Sequence, residues 1–244
     1  MTVSVAMAVY NGEKYIEEQL NSILKQLRFY DEVIVSDDNP GGGTAEIVLR
    51  MAEKDSRIKY IEGPRQGVIR NFENAIGRTK GDIIFLSDQD DVWLPNKVIS
   101  VTRKFKEENA VLVMHDAKIV DEDLNEIAPS FFEIRNASTS YFKNVWKNSY
   151  IGCCMAFSAE LKNAILPFPM GLPMHDQYIG LIAGKVASAN EKKGLEENCK
   201  VVLLDTPLIL YRQHEKNLTS QESSFLDKLR WRTNILKNTL FKSV

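Results

Sequence analysis

Three aspartates stand within four positions in S-D-Q-D-D-V-W, residues 87–93, directly after the apolar run I-I-F-L. Carboxylates this close repel one another, and a bound cation relieves the repulsion. The hard ions Mg2+ and Mn2+ take oxygen ligands, commonly one or two carboxylates with phosphate oxygens completing the shell. In an extended segment side chains alternate, which predicts Asp88 and Asp90 on one side and Asp91 on the other. The competing structural reading is a helix start decorated with acids, with Pro95 in its first turn.

Polar residues also close the three earlier apolar runs. Tyr10, Asn11 and Gly12 follow the first, Ser36, Asp37 and Asp38 the second, and Glu62, Gly63 and Pro64 the third. Asp37 and Asp38 can accept from a base N–H or a ribose hydroxyl, and they equally suit the turn of D-N-P-G-G-G. In R-Q-G-V-I-R-N-F-E-N, Arg70 and Asn74 lie four apart on one helical face with Asn71 beside them. Arg70 is then in reach of the acid cluster or of a diphosphate, or is solvated. Further on, M-H-D-Q-Y brings His175 and Asp176 to a helix start, and Y-R-Q-H-E-K-N carries Arg212, His214 and Asn217 out of a strand. Either histidine also reads as a cap or a surface residue.

These residues need a frame. Apolar runs at residues 3–9, 32–36, 58–61 and 82–86 alternate with helical periodicity at 13–26, 44–53, 68–77 and 95–107. Strand–helix alternation of this kind predicts a mostly parallel sheet covered on both faces. Ligands of such sheets sit outside the carboxyl ends of the strands, where all four polar clusters fall. Beyond residue 108 the pattern loosens. Val111–His115 reads as a fifth strand, 117–127 as strand and turn, and 128–150 as an irregular aromatic-rich stretch. Then come a strand at 153–157, helices at 159–165 and 175–187, and one or two strands at 201–211 split by Pro207. The chain end, with Phe225, Leu229, Leu236 and Leu240 among Lys228, Arg230, Arg232, Lys237 and Lys242, reads as a basic amphipathic helix. Such a helix either packs on the domain or touches a membrane surface.

At 244 residues, 44% apolar and 26% charged, the chain suits one soluble α/β domain. A formal net charge of -2 gives no support to a nucleic-acid partner. Three cysteines, two adjacent, form no disulfide framework and no C-x-x-C spacing, which fits a reducing cytoplasm. The first residues lack the basic and apolar regions of a signal peptide. Neither G-x-G-x-x-G nor G-x-x-x-x-G-K-[ST] occurs, so ordinary dinucleotide and P-loop readings drop out. D-Q-D-D-V also fits the D-x-D-x-[TV] of haloacid-dehalogenase-like phosphatases. That motif normally opens its domain, however, and here three strand–helix units precede it.

The order of motifs resembles the family 2, nucleotide-sugar-dependent inverting glycosyltransferases of GT-A fold. V-S-V-A-M-A-V-Y-N-G-E-K-Y-I-E-E-Q-L-N-S-I-L resembles the family's first strand and helix, and V-I-V-S-D-D-N-P-G-G-G-T its S-D-D-G-S-T-D-G-T, with Gly42 where a third Asp is frequent. G-V-I-R-N-F-E-N-A-I is similar to G-x-x-x-A-R-N-x-G, and F-L-S-D-Q-D-D-V-W to the D-x-D motif in its rhamnosyltransferase-like form. M-H-D-Q-Y resembles the segment of the catalytic base, and Y-R-Q-H-E-K-N the one closing over the donor diphosphate. The resemblance implies a Rossmann-like, mostly parallel sheet flanked by helices over residues 1–220, with a nucleotide half (1–108), an acceptor half (109–220) and a terminal helix (221–244). It implies Tyr10 with Asp37 and Asp38 on the nucleoside and Asp88 on the ribose or diphosphate, the neighbouring Asn11, Arg70, Asn71, Gln89 and Arg212 completing the donor site. Asp90 is then the metal ligand, His214 a metal or diphosphate ligand, and Asp176 the general base, with Mn2+ or Mg2+ as cofactor. The expected donor is dTDP-rhamnose or a UDP-sugar and the acceptor a glycan or lipid-linked glycan, handled in the cytoplasm or at the inner face of the membrane. A catalytically dead carbohydrate-binding domain is the non-enzymatic alternative.

Overall fold

The computed structural model describes residues 1–214, 225–240 and 242, without the side chains of Phe225 and Leu226. Four strands, β1 (Val3–Val9), β2 (Glu32–Asp37), β3 (Ile58–Glu62) and β4 (Ile83–Ser87), lie parallel in the order β3-β2-β1-β4. Every residue of β1, β2 and β4 is buried, because helices cover both faces and no solvent side is left for alternation. β3, at the edge, keeps Lys59 and Glu62 exposed. Helices α1 (Ile16–Leu24), α2 (Gly43–Lys54) and α3 (Val68–Arg78) make the crossovers. Ile16, Leu20 and Ile23 of α1 and Phe72 and Ile76 of α3 are fully buried on the sheet, each contributing roughly 1.5–3 kcal/mol of apolar burial.

After β4 the chain departs from simple alternation. A bend at 89–90 leads into a two-residue strand, β5 (Val92–Trp93), and only then α4 (Lys97–Glu108). The acids therefore do not cap a helix, which corrects that reading. β6 (Ala110–Val120) is one strand of 11 residues where a strand and a turn were expected, and β7 (Glu126–Ala128) pairs with its end. The aromatic stretch forms α5 (Phe131–Arg135) and α6 (Tyr141–Trp146). A 3-10 turn (Gly152–Cys154) precedes β8 (Met155–Ser158), α7 (Ala159–Ile165) and α8 (His175–Lys192).

β9 (Lys200–Arg212) runs unbroken through Pro207, which sits opposite Asp116 where the register shifts. A bulge is one place in a sheet that tolerates proline. β8 is antiparallel to both β4 and β6, so all nine strands join one sheet, continuing β4-β8-β6-β9-β5. This mostly parallel, helix-flanked architecture is the expected GT-A class. α9 (Phe225–Leu240) closes the described chain. Its buried residues are Ile235 and Thr239, whereas Leu229 and Leu240 of the expected stripe are half exposed. Residues 215–217, including Asn217, and the 220/221 boundary lie outside the described residues. Among the described residues no helix is long and apolar enough to cross a membrane.

Candidate active site

The chain runs outward from β1 to β2 and β3, then returns to β4 on the other side of β1. A crevice opens at such a switch point between the carboxyl ends of the strands, here between Tyr10 and Gln89. The Gln89 amide spans it: Oε1 accepts from Tyr10 N (2.8 Å) and Nε2 donates to Tyr10 O (3.1 Å). Tyr10 keeps its ring 61% exposed, open to stacking. Asn11, at φ 50°, accepts from Asn39 Nδ2 at 2.8 Å, joining the first two loops.

Asp37 and Asp38 do different work. Asp38 accepts from Arg65 N (2.6 Å) with one oxygen and Gly67 N (2.7 Å) with the other, fixing the loop before α3. Gly67 has φ 84°, a conformation glycine adopts without the strain of a Cβ. Asp37 accepts from Asn39 N (2.9 Å) and Tyr60 OH (3.1 Å), and burial raises its proton affinity while pushing Tyr60 up to about 12. Asn71 donates to Val9 O (3.0 Å) and Ser36 O (2.8 Å), tying β1 to β2, and its buried Oδ1 has no hydrogen-bond partner. Arg70 does not reach the acid cluster. It pairs with Glu73 and donates to Phe168 O (2.9 Å) and Pro169 O (3.2 Å), holding the loop before α8.

At the end of β4 the bend overturns the expected alternation. Asp88 and Asp91, not Asp88 and Asp90, share a side: with Cys153 they offer ligand atoms all within 4.8 Å of one another. Asp90 turns away to His214 Nε2 at 2.8 Å. Asp91 accepts from Arg212 N at 3.1 Å, and its buried Oδ2 has no hydrogen-bond partner. Burial, then the neighbouring Asp90, raises the proton affinity of both Asp88 and Asp91, and Asp176 adds to the effect on Asp88. Beneath them lies Lys97, fully buried, its Nζ 2.8 Å from Cys153 O and 4.1 Å from the Trp93 ring centroid. Burial pushes Lys97 down to about 8, and burial with the Lys97 charge drives His115 well below its usual range. Arg212, 3% exposed, donates to Asp90 O (2.8 Å), Glu122 O and Glu18 (2.6 Å), and lies 4.4 Å from the Tyr15 ring centroid. Tyr15 stacks in turn on His214 at 5.6 Å. Arg212 thus locks the acid segment from within.

Asp176 opens α8 and is 6% exposed. Its Oδ1 accepts from Gln177 N (2.6 Å) and Asn148 Nδ2 (3.4 Å), and burial still pushes it up to about 6. Its neighbour His175 stacks on Phe72 (4.3 Å), with Nε2 unpartnered and a proton affinity pushed down to about 4 by burial. Gly152 leaves that ring its room: a Cβ there would lie 3.0 Å from Nε2. Four carboxylates, Asp88, Asp90, Asp91 and Asp176, gather at one sheet edge from two distant segments.

The family model described as "Glycosyl transferase family 2" matches residues 4–165, from the first strand through α7. The chain belongs to that family. The D-Q-D-D-V segment lies inside the match, which leaves the phosphatase reading without support. Among curated relatives, the Escherichia coli UDP-Glc:alpha-D-GlcNAc-diphosphoundecaprenol beta-1,3-glucosyltransferase WfgD is 28% identical over 152 residues, 62% of this chain and 57% of that protein. Staphylococcus aureus TarS, solved in complex with UDP-GlcNAc, superposes with a TM-score of 0.73 at 20% identity, covering 98% of this chain and 67% of the other. A Pyrobaculum calidifontis mannosyltransferase solved with GDP-Man and Mn2+ gives 0.60 at 21% identity, covering 88% and 58%. The chain spans between 17% and 59% of the length of these curated relatives.

The family 2 chain has donors that fit a hard divalent cation: Asp90 with His214 at the rim, and Asp88 with the unpartnered Oδ2 of Asp91 behind. Cys153 fits less well, because burial keeps its soft thiol protonated. Lys97, His115, Asn148 and Tyr15 were not singled out from the sequence. For Lys97 a signal existed: it continues the i, i+4, i+8 stripe of Val101 and Phe105, where a surface lysine would not stand.

Proposed function

We propose that this family 2 chain transfers a glycosyl group from a nucleotide sugar to a hydroxyl of a glycan or lipid-linked glycan, with inversion, in cell-surface polysaccharide synthesis. The reading is carried by Asp176, a buried carboxylate with raised proton affinity facing the acid cluster across the sheet edge. The exposed Tyr10 ring stacks on the base, and Asp37 and Asp38 frame the nucleoside. Asp88 takes the ribose or diphosphate, while Asp90 and His214 hold Mn2+ or Mg2+. When bound, the cation supplies charge stabilisation of the departing diphosphate. Asp176 accepts the acceptor hydroxyl's proton as that oxygen forms its bond to C1 and the C1–O bond to the nucleoside diphosphate breaks on the opposite face. Gln89, Asn11, Asn71, Arg70 and Arg212 then act by holding the loops. The donors of WfgD and TarS favour UDP-glucose or UDP-GlcNAc and that of the mannosyltransferase GDP-mannose, while the S-D-Q-D-D-V-W form favours a dTDP-deoxysugar.

A thermal-shift screen of nucleotide sugars with and without Mn2+ tests this. A ligand at 100 times its Kd stabilises by about 2.7 kcal/mol, so one nucleotide class should raise Tm selectively and only with metal. A donor that shifts Tm without metal-dependent hydrolysis marks a binding domain, and no shift with any nucleotide sugar rejects the reading.

A further inference from the structure

Helix α6 lies against α9, antiparallel to it. Tyr141 OH and Thr239 Oγ1 are 2.7 Å apart at one end; at the other, Arg232 Nε donates to Trp146 O at 3.1 Å, with its guanidinium 4.0 Å from the Trp146 ring centroid. Lys185 Nζ closes the far end on the carbonyls of Thr239, Leu240 and Lys242, at 2.7–3.0 Å. α9 is therefore a seated part of the domain.

What the pair turns outward is unusual for this protein. Phe142 and Trp146, four apart and so on one face of α6, are 80% and 70% exposed; Leu229 and Leu240, which share a face of α9, are 50% and 52% exposed. Met170, at 80%, stands on the loop whose Gly171 adjoins Asn234 of α9. These five are among only 15 exposed large apolar side chains in the described residues. Large apolar side chains gathered on an outer surface mark an interaction site.

The charge is as uneven. Segments 134–159 and 225–242 hold eight of the chain's 31 basic residues and one of its 33 acidic ones, Asp227 in the first turn of α9, although the whole chain carries a net -2. Lys143, Lys147, Lys228 and Arg230 are exposed beside the aromatic rings. Exposed aromatic and aliphatic side chains among a large excess of cations match a surface that is apolar just below an anionic layer. A protein partner would call for a more evenly polar rim.

We propose that the outer face of α6 and α9 seats on an anionic lipid surface, with Phe142 and Trp146 inserted at the headgroup level and the lysines and arginines on the lipid charges. Two residues beyond Trp146, Asn148 holds Asp176, so the seated face brings the edge bearing that carboxylate to the membrane boundary. This consequence for a lipid-linked acceptor rests on the glycosyl-transfer reading; the seating itself does not.

The test is co-sedimentation of the chain with phosphatidylcholine vesicles, with and without phosphatidylglycerol, at low and high salt, and without any nucleotide sugar. Binding to the anionic vesicles alone, weakened by salt, is expected. Each cation near such a surface is worth about fivefold in partitioning, so Lys143→Glu with Lys147→Glu should weaken it by roughly 25-fold or more. Phe142→Ser should weaken it about tenfold by removing inserted apolar area. Because the Phe142 ring meets Tyr141, whose hydroxyl holds α9, thermal melts of the variant without vesicles should match the parent's and show that α9 stays seated. Equal affinity for neutral and anionic vesicles overturns the proposal, as does binding lost to charge reversal but indifferent to Phe142→Ser, which would mark a soluble polyanion site. A concentration-dependent dimer that buries Trp146 and excludes vesicles overturns it too. Nucleotide-sugar thermal shifts of these variants should equal those of the parent chain, so failure of the seating and failure of the transfer reading are told apart.

Discussion

Asp176→Asn should make the protein both inactive and more stable, with a pH dependence that identifies the cause. In the folded chain burial lifts this carboxyl from its ordinary 3.8 to about 6, against the hydrogen bonds from Gln177 N and Asn148. A raised folded-state value means the folded chain binds the proton more tightly than the unfolded one. The stability this contributes is fully present below pH 3.8 and is lost as pH rises through about 6. The difference corresponds to about 3 kcal/mol at pH 7 and above, the cost of holding an ionised carboxylate out of water. Asparagine keeps the shape and an acceptor oxygen but cannot ionise. Scanning calorimetry of both proteins in EDTA, from pH 4 to pH 8, should therefore show nearly equal stability at the acid end, an advantage for the variant that grows between about pH 4 and 6, and a constant advantage above that. Turnover should fall by roughly 100- to 10,000-fold, the usual worth of a general base, while nucleotide-sugar binding persists. The parent enzyme's rate should fall tenfold per pH unit below about 6. A stability difference flat across that range would refute burial as the cause, and near-parental turnover would refute the role.

Two further outcomes follow from the same edge. His214→Ala removes the partner of Asp90, and it should raise the Mn2+ concentration for half-maximal activity at least tenfold; an unchanged Mn2+ titration removes His214 from the metal site. Lys97→Met takes away the donor to Cys153 O and the buried cation below Asp88 and Asp91, and urea unfolding should register a loss of about 1–3 kcal/mol. Unaltered stability would mean the lysine is dispensable to the acid cluster.

The first half of the fold was legible because its strands are buried on both faces and so read as unbroken apolar runs between helices of clear period. Where that condition fails, the sequence misleads. β6 carries His115 and Asp116 in its middle and reads as ending there, yet both are buried and the strand continues. Pro207 reads as a break in β9, but it falls at the register shift opposite Asp116, where a missing N–H costs the ladder nothing. β5 has two residues, too few for any periodicity. In α9 the helix was plain and its buried face was not: Ile235 and Thr239 face the domain because Tyr141 and Lys185 meet that side. For the site, residue types and strand-end positions were readable, since both depend on local order. Directions were not, because the bend at 89–90 sends Asp90 to His214 across 124 positions of sequence.

That bend also answers why three aspartates stand so close together. An extended D-Q-D-D would leave two carboxylates side by side with no protein cation between them. The folded segment gives each acid a separate surrounding: Asp90 meets the imidazole of His214, Asp91 the backbone N–H of Arg212, and Asp88 lies with Asp91 above the buried Lys97. Arg212 acts on the segment twice, its backbone N–H on Asp91 and its guanidinium on the carbonyl of Asp90, which sets the bend. The protein thereby offsets part of the repulsion with its own cations and leaves the rest uncompensated at a sheet edge. Burial with incomplete compensation is what raises the proton affinity of Asp88 and Asp91. Full neutralisation by its own lysine and arginine would weaken the pull on the proposed divalent cation, and loss of Lys97 would leave Asp88 less compensated. The placement of Lys97 and Arg212 against the cluster leaves Asp90 and His214 as the residues on which the proposed cation would sit.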